Sequence, residues 1–489
     1  MRARLSIAHW DQIPAAAKPE IDPRDLTVGI VHLGLGAFHR AHQAVYTERA
    51  MAASGESQWG ICGVSQRSRS VVDDLQPQDG LYTVVERASS NDYRVRAPLR
   101  ELIFARDAAL MQWLAAPSTH VVSLTVTEKG YRHDPATRRL NVHDEEVQAD
   151  AAGRPAETVV GQLVRGLQAR YRESGAPLTV VSCDNLTANG ATLRGLVGDF
   201  CALLPPDEQS GLVAWIAHSI SFPSTVVDRI VPATTASDRS DVAHFLGLDD
   251  EGAVVAEPFS QWVIEDDFAA TRPAWELVGA ILTDDVAPYE ALKLRLLNGS
   301  HSAIAYLGLL AGYEYVADFV EGHAAYVRAL MVEALRVLTV PADFDIGAYQ
   351  EQLIGRFANS ALRHRLTQIA TDGSQKLPLR LVGTITQLRA AGDEPALSVL
   401  GVAAWMRCVS ARHDDTGRSL QLDDPLEPRI VEVLGGSAEP AAVVERLLGL
   451  HEVFGDLGDD AVLRDLFVAV LTELTRGGAL AALRNAMAG

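Results

Sequence analysis

The chain has 489 residues, which is too long for one compact core, so two or three domains are expected. Its 48% hydrophobic and 22% charged residues are typical of an ordinary globular protein. The 63 acidic residues outnumber the 43 lysines and arginines, giving a net charge of −20. That balance argues against a general nucleic-acid or anionic-membrane binder, but it does not exclude a small anionic substrate.

The cysteines and the apolar runs indicate a cytoplasmic protein. Cys62, Cys183, Cys201 and Cys408 are scattered and form no C-x-x-C pair, so neither a disulfide framework nor a metal site is expected. No signal-peptide core precedes Asp11, and the most apolar run, at 303–311, is too short to span a bilayer. We therefore expect no membrane partner, no nucleic-acid partner and no metal.

Strand-like and helix-like segments alternate in the first half of the chain. Buried strands are predicted at four apolar runs, 27–33, 59–64, 120–126 and 178–182. Helices are predicted at 38–53 and 158–171, and a hairpin at 81–86 and 93–96. This alternation predicts an α/β fold, with a Rossmann-type doubly wound sheet at the N-terminus.

Helical periodicity dominates the second half. Helices are predicted at 323–338, 348–357, 374–388, 395–409 and 460–476, without a comparable strand run. The segment T-D-D-V-A-P at 283–288 interrupts the pattern. The sequence thus predicts a nucleotide-binding domain at 1–286 and a mostly α-helical substrate and catalytic domain at 287–489.

The segment G-L-G-A-F-H-R, at 34–40, follows the first predicted strand. Gly34 permits a tight turn, and Gly36 permits a pyrophosphate to approach the backbone. A helix starting near Phe38 would offer free N–H groups to phosphate. The third glycine of the usual dinucleotide fingerprint is missing, and His39 occupies its place.

The end of the second predicted strand bears on cofactor choice. An acidic residue there usually binds the adenosine ribose and rejects a 2′-phosphate, but this chain reads V-S-Q-R-S at 64–68. Gln66 is a candidate ribose contact. Arg67 or Arg69 is a candidate phosphate contact, although both also fit solvated surface arginines. NAD is favoured, and NADP is not excluded.

Polar residues also follow the later strands, where ligands bind in doubly wound sheets. Thr127, Glu128 and Asp184 fit caps or turn formers, and Asn185 fits either a site residue or an Asx-turn. Asp228 and Arg229 lie in an apolar run, where a structural ion pair between them is the default interpretation. His32, His42 and His218 are assigned no role.

The segment Y-E-A-L-K-L-R-L-L-N-G-S-H, at 289–301, carries the strongest chemical signal. If it is helical at about 100° per residue, Lys293, Glu290, His301 and Asn298 fall in that order within an arc of roughly 140°. A lysine packed against apolar groups has a lowered pKa and can act as a base. An amide and an imidazole can hold a carbonyl or alkoxide oxygen. The alternative is an amphipathic core helix with an ordinary polar side.

These residues resemble the long-chain polyol and uronate dehydrogenases, the family of mannitol 2-dehydrogenase and fructuronate reductase (mannonate oxidoreductase). The matching segments are I-V-H-L-G-L-G-A-F-H-R-A-H-Q-A-V-Y at 30–46, D-G-L-Y-T-V at 79–84, T-V-T-E-K-G-Y at 125–131, S-C-D-N at 182–185, F-P-S-T-V-V-D-R-I-V-P at 222–232, E-P-F-S-Q-W-V-I-E-D-D-F at 257–268, K-L-R-L-L-N-G-S-H-S at 293–302 and L-R-H-R-L-T-Q-I-A-T-D-G-S-Q-K-L-P at 362–378. The clearest departure is S-Q-R at 65–67.

The resemblance implies roles for individual residues. Lys293 would be the general base, Asn298 and Asn185 would bind the substrate oxygen, His301 would hold the substrate, and Glu290 would gate a proton path. The family uses no metal, and NAD is the expected cofactor of this chain. The expected cofactor-binding residues are Gly34, Gly36, Ala37, Phe38, His39, Arg40, Gln66, Thr127 and Asp228.

The substrate is expected to be D-fructuronate, reduced to D-mannonate, because the chain resembles the uronate-reducing branch. A uronate carboxylate needs a cation, and the candidates are Lys129, Arg365 and Lys376. For Arg365 a surface ion pair is an equally good interpretation. The alternatives are a mannitol 2-dehydrogenase acting on fructose and mannitol, and a nucleotide-binding sensor without catalysis.

Overall fold

The computed structural model describes residues 2–134 and 137–488, and these divide into two compact units, Met1–Val286 and Ala287–Gly489. The first unit has a parallel six-stranded sheet in the order β5-β2-β1-β6-β7-β8. Its strands are β1 (Val28–Leu33), β2 (Gly60–Ser65), β5 (Leu99–Phe104), β6 (Val121–Leu124), β7 (Leu178–Ser182) and β8 (Ile220–Ser221).

Helices cover both faces of this sheet. They are α1 (Ala37–Ala41), α2 (Gln43–Ser54), α3 (Ser70–Leu75), α4 (Ala109–Ala115), α5 (Glu145–Ala151), α6 (Val159–Glu173), α7 (Asn189–Cys201), α8 (Pro206–Gln209), α9 (Leu212–Ser219) and α10 (Ala236–Leu246). Short 3₁₀ turns lie at Ile7–Gln12, Ala15–Ala17, Pro23–Asp25, Gln76–Gln78, Glu128–Tyr131 and Trp275–Val278. Alternate residues of β1 enter different apolar clusters, Val31 and Leu33 on one face and Ile30 on the other. The sheet is therefore buried on both faces, which confirms the predicted fold class.

Two smaller sheets complete the first unit. One has the order β10-β3-β4 and the other β12-β11-β9. Their strands are β3 (Tyr82–Arg87), β4 (Asn91–Arg96), β9 (Thr225–Asp228), β10 (Val254–Ala256), β11 (Gln261–Glu265) and β12 (Ile281–Thr283). The predicted hairpin is confirmed as β3 and β4, which pair antiparallel. β5 and the strands after 220 were not predicted, since several have only two to four residues.

The second unit is helical, as predicted. Its α-helices are α11 (Ala287–Leu292), α12 (Ser300–Leu310), α13 (Val316–Leu335), α14 (Ile346–Phe357), α15 (Leu366–Ile369), α16 (Gly373–Leu377), α17 (Gly383–Ala390), α18 (Ala396–Ala411), α19 (Glu427–Leu434), α20 (Pro440–Leu448), α21 (His451–Phe454), α22 (Ala461–Gly477) and α23 (Ala479–Ala488). Two segments are π-helical, Lys293–Gly299 and Pro378–Val382, and 3₁₀ turns lie at Ser360–Leu362 and Leu457–Asp459. Every residue of α12 is buried, so this helix forms the centre of the unit.

Candidate active site

The turn after β1 requires glycine at one position and exposes the backbone at another. Gly34 has φ +107°, and an added Cβ would lie 2.1 Å from the carbonyl oxygen of Thr125. At Gly36 an added Cβ would meet only the carbonyl oxygen of Gly34, at 3.7 Å. Protein packing therefore does not explain the glycine at 36. An open backbone directly after the first strand fits the pyrophosphate of a dinucleotide.

The helix predicted at 38–53 is two helices. α1 ends at Ala41, and His42 has φ −127° and ψ −91° before α2 begins. Within the turn, Gly36 is exposed, and Ala37 and Phe38 are half-buried. The side chains of His39 and Arg40 lie inside the unit instead, where the Arg40 guanidinium donates to the carbonyl oxygen of Gly252. Their contact with the cofactor stays a prediction.

Two buried imidazoles lie beneath this turn. The rings of His32 and His39 stack with centroids 3.3 Å apart and planes within 11°. His32 Nδ1 lies 2.8 Å from Ser123 Oγ, and its Nε2 lies 2.8 Å from Thr125 Oγ1. Burial lowers the pKa of His32 to about 3, so its ring is neutral at pH 7. His32, which the sequence left without a role, thus ties β1 to β6.

The loops after β6 and β7 are joined by Asp184. Its carboxylate accepts hydrogen bonds from the backbone N–H groups of Val126 (3.0 Å) and Thr127 (2.9 Å) and from the Tyr131 hydroxyl (2.7 Å). Thr127 has φ +69°, which is strained for a β-branched residue. Asp184 therefore forms the turn, as its structural interpretation predicted, and stabilises the strained backbone of Thr127. Burial still raises the pKa of Asp184.

Asn185 follows Asp184 and is exposed. Asn189, four residues later, is buried and was not predicted. Its amide nitrogen donates to the carbonyl oxygens of Asp184 (3.1 Å) and Thr225 (3.0 Å), and its oxygen accepts from the Thr225 N–H (2.8 Å). Residue type alone does not distinguish the catalytic candidate Asn185 from Asn189, and only the family resemblance singled out Asn185. Their burial separates them.

The predicted ion pair between Asp228 and Arg229 is wrong. The guanidinium of Arg229 instead pairs with Glu86 at 2.6 Å and donates to the carbonyl oxygen of Glu257. Arg229 follows the last residue of β9, and its guanidinium is held by these partners instead. Asp228 is the last residue of β9 and is buried.

Lys129, a candidate for binding the substrate carboxylate, lies exposed in the 3₁₀ turn at Glu128–Tyr131.

The segment at 289–301, which carries the predicted catalytic residues, is helical throughout, but it is not a uniform α-helix. Lys293–Gly299 is π-helical, so the assumption of 100° per residue is wrong there. Its apolar side behaves as predicted, because Leu292, Leu296 and Leu297 are buried. Glu290, Lys293 and Asn298 are half-buried and His301 is buried. Single π-helical turns within α-helices are frequent at functional sites.

The two π-helical segments pack against each other. An added Cβ at Gly299 would lie 3.2 Å from the carbonyl oxygen of Arg380. The Arg295 guanidinium donates to Thr384 Oγ1 at 2.7 Å, and the Arg380 guanidinium donates to Ser302 Oγ at 3.2 Å. The segment that carries Lys293 and Asn298 is thus fixed from a second helix. A sequence pattern cannot reveal such contacts, which join residues 78 and 89 positions apart.

His301 has an apolar and cationic environment. Its ring lies 4.5 Å from the ring of Phe357 and 5.4 Å from that of His364. Burial lowers its pKa well below the usual value, and His364, Arg356 and Arg380 lower it further. His301 is therefore neutral, with one ring nitrogen able to donate and the other able to accept a hydrogen bond.

Two predicted substrate-binding cations have protein partners. Arg365 pairs with Glu314 at 2.6 Å, and both side chains are more than half exposed. Lys376 Nζ donates to the carbonyl oxygen of Thr371 at 2.7 Å and lies 3.8 Å from Asp372. Within the described residues, 2–134 and 137–488, no group of three or more His, Cys, Asp or Glu side chains is placed to hold a metal ion. The same ranges contain no helix long and apolar enough to cross a membrane.

Comparison with known proteins agrees with this arrangement. A family model described as the mannitol dehydrogenase Rossmann domain matches residues 28–277, and the corresponding C-terminal domain model matches 285–475. The D-mannonate oxidoreductase of Escherichia coli (strain K12) is 40% identical over 90% of this chain and 91% of its own length. A mannitol 2-dehydrogenase of Pyrenophora tritici-repentis is 37% identical over 99% of this chain and 86% of its own length.

A solved structure is also similar over its whole length. The Pseudomonas fluorescens mannitol 2-dehydrogenase, in a ternary complex with NAD and D-mannitol, matches with a TM-score of 0.84. It is 37% identical and covers 99% of both chains.

Proposed function

This chain belongs to the mannitol dehydrogenase family and is an NAD-dependent oxidoreductase, and we propose that it interconverts D-fructuronate and D-mannonate. The observation that carries the substrate proposal is the positive charge around His301. Burial is the main cause that lowers the pKa of this imidazole, and His364, Arg356 and Arg380 lower it further. A carboxylate taken out of water needs cationic hydrogen-bond donors, whereas a neutral polyol does not.

The proposed chemistry assigns one task to each predicted catalytic residue. When bound, NAD(H) supplies or accepts the hydride. During reduction the ammonium of Lys293 gives a proton to the carbonyl oxygen as it becomes a hydroxyl, and during oxidation the neutral amine takes that proton back. The Asn298 amide donates to the same oxygen, and neutral His301 binds a neighbouring substrate hydroxyl.

Two further roles rest on the family resemblance. We assign Asn185 a second amide hydrogen bond to the substrate oxygen. Glu290 precedes Lys293 by three residues and is half-buried, so it is the group proposed to exchange the Lys293 proton with solvent. The Asn185→Ala variant tests the first of these assignments.

A mannitol 2-dehydrogenase activity is the competing proposal. It is favoured by the 37% identity to the Pseudomonas fluorescens enzyme over 99% of both chains. In that case the guanidinium groups of Arg356 and Arg380 would bind a neutral, hydroxyl-rich substrate, and they would act only as hydrogen-bond donors.

The deciding experiment compares kcat/KM for fructuronate and for fructose, each with NADH. We expect fructuronate to be preferred by about tenfold or more, since one charged anchor is worth that factor in binding. A preference for fructose would contradict the uronate proposal and support the mannitol activity. Absence of turnover with both ketones and with mannitol and mannonate, despite NADH binding, would support a sensor.

Variants locate the carboxylate anchor. Three variants each remove one candidate cation: Arg380→Met, Lys129→Gly and Lys376→Met. Loss of the true anchor should lower the preference for fructuronate over fructose while leaving fructose turnover nearly unchanged. Arg365→Met is the matched control, because Glu314 already neutralises that guanidinium. If none of the three narrows the preference, and Arg356→Met does not narrow it either, the charge argument fails.

A further inference from the structure

The carboxyl end of β2 lacks the acidic residue that normally selects NAD. In Rossmann-type sheets a carboxylate at this point hydrogen-bonds the adenosine ribose and repels a 2′-phosphate. Here β2 ends at Ser65 and is followed by Gln66, Arg67, Ser68 and Arg69. Gln66 is neutral, so it offers an amide to a ribose hydroxyl without repelling a phosphate.

The two arginines after β2 differ in whether nearby carboxylates compensate their charge. Arg69 lies 3.0 Å from a carboxylate oxygen of Asp107 and 3.5 Å from one of Asp73, so two acids compensate it. Arg67 is exposed, and its guanidinium lies 3.3 Å from the neutral hydroxyl of Thr127. Within the described ranges no carboxylate lies within ion-pair distance of Arg67. Its charge is therefore not neutralised by the protein.

Sheet topology puts Arg67 at the nucleotide end of the sheet. β1 lies between β2 and β6, and Thr127 follows β6. A guanidinium that starts after β2 and reaches Thr127 must cross the carboxyl end of β1, where the turn at Gly34–Gly36 exposes its backbone. The strand order reverses at β1 and β6, which is where dinucleotides bind.

We propose that Arg67 binds the 2′-phosphate of NADP(H), so that this chain accepts NADP(H) in addition to NAD(H). A planar guanidinium can donate two parallel hydrogen bonds to a phosphate, and its single contact to a hydroxyl is weak enough to be exchanged. Arg69 would not bind the phosphate, because Asp73 and Asp107 already compensate its charge. The competing possibility is that Arg67 is only a solvated surface charge.

The test measures binding of two cofactor fragments to the full chain by calorimetry. The fragments are 5′-AMP and 2′,5′-ADP, which differ only in the 2′-phosphate. We expect the wild-type protein to bind 2′,5′-ADP more tightly than 5′-AMP, and any other order overturns the proposal. No sugar substrate is involved, so this outcome is independent of whether fructuronate is turned over.

Two substitutions and a control sharpen the test. Arg67→Gln should weaken 2′,5′-ADP about tenfold more than 5′-AMP, because it removes only the phosphate contact. Gln66→Glu should restore the usual discrimination and disfavour NADPH relative to NADH in fluorescence titrations. Arg154→Gln, which removes one exposed positive charge elsewhere in the same unit, controls for net charge. If Arg67→Gln and Arg154→Gln weaken 2′,5′-ADP equally, Arg67 does not bind the phosphate.

Discussion

The guanidinium of Arg295 donates a 2.7 Å hydrogen bond to the hydroxyl of Thr384. Arg295 lies inside the π-helical segment that carries Lys293 and Asn298, and Thr384 lies at the start of α17. An added Cβ at Gly383 would lie 2.7 Å from the same guanidinium, so a glycine beside Thr384 leaves room for it. This hydrogen bond links the catalytic candidates to a helix about 90 residues later in the chain.

Removing that hydrogen bond should misplace the catalytic groups. Thr384→Val keeps the shape of the side chain but leaves the half-buried Arg295 guanidinium without this acceptor. We expect kcat to fall about tenfold while the affinity for NADH stays near wild type, since small errors in geometry slow chemistry strongly. Steady-state kinetics and NADH fluorescence titration measure the two effects.

A double-mutant cycle separates positioning from a general loss of stability. Thr384→Val combined with Arg295→Met should cost no more than either change alone, because both break the same contact. Thr386→Val, on the exposed side of α17, is the matched control and should leave kcat unchanged. Additive losses in the cycle would show that Arg295 acts through another contact.

Lys293→Ala should remove most of the turnover. A positioned acid–base group typically contributes about 10²–10⁴-fold, whereas NADH binding needs no proton transfer and should be unaffected. Lys18→Ala, a surface change near Asp11 in the first unit, is the control. A loss of less than about tenfold would assign the proton transfer to another group.

The three asparagines should respond differently. Asn298→Ala and Asn185→Ala should lower kcat more than they raise KM, because donors aimed at a developing charge act mainly in the transition state. Asn189→Ala should instead lower the unfolding free energy by about 1–3 kcal/mol, since its buried hydrogen bonds hold β9. If Asn298→Ala changed only KM, Asn298 would bind the ground state and the transition state equally.

The first unit should lose stability in acid through His32. The folded pKa is about 3 and the unfolded value is about 6.5, so the unfolded state binds the additional proton between these values. Stability is therefore complete above pH 6.5 and falls as the pH decreases towards 3, by about 2 kcal/mol at pH 5. His32→Asn should flatten this dependence in thermal unfolding, whereas the exposed control His143→Asn should not. If stability fell equally steeply with pH in the wild type and in His32→Asn, His32 would not be the cause of the loss of stability in acid.

The sequence by itself identified the family, the Rossmann-type first unit, the helical second unit and the NAD-dependent oxidoreductase class. The family and the activity class follow from the resemblance of collinear segments, whereas the two units depend on local signals. Apolar runs of strand length, a glycine turn after the first strand and a helical period after 288 are each set by neighbouring residues. The apolar side of the segment at 289–301 was predicted for the same reason. The roles of Lys293, Asn298, His301, Asn185 and Glu290 remain predictions, because they concern chemistry rather than position.

Only the tertiary structure decided which polar residues are structural. The sequence paired Asp228 with Arg229, but the Arg229 guanidinium pairs with Glu86, which lies 143 residues earlier in the chain. It left His32 without a role, although burial between β1 and β6 makes it a neutral link. The π-helical winding of Lys293–Gly299 and the Arg295–Thr384 hydrogen bond were equally inaccessible. Each depends on contacts between segments distant in sequence, and such contacts leave no periodicity in a single chain.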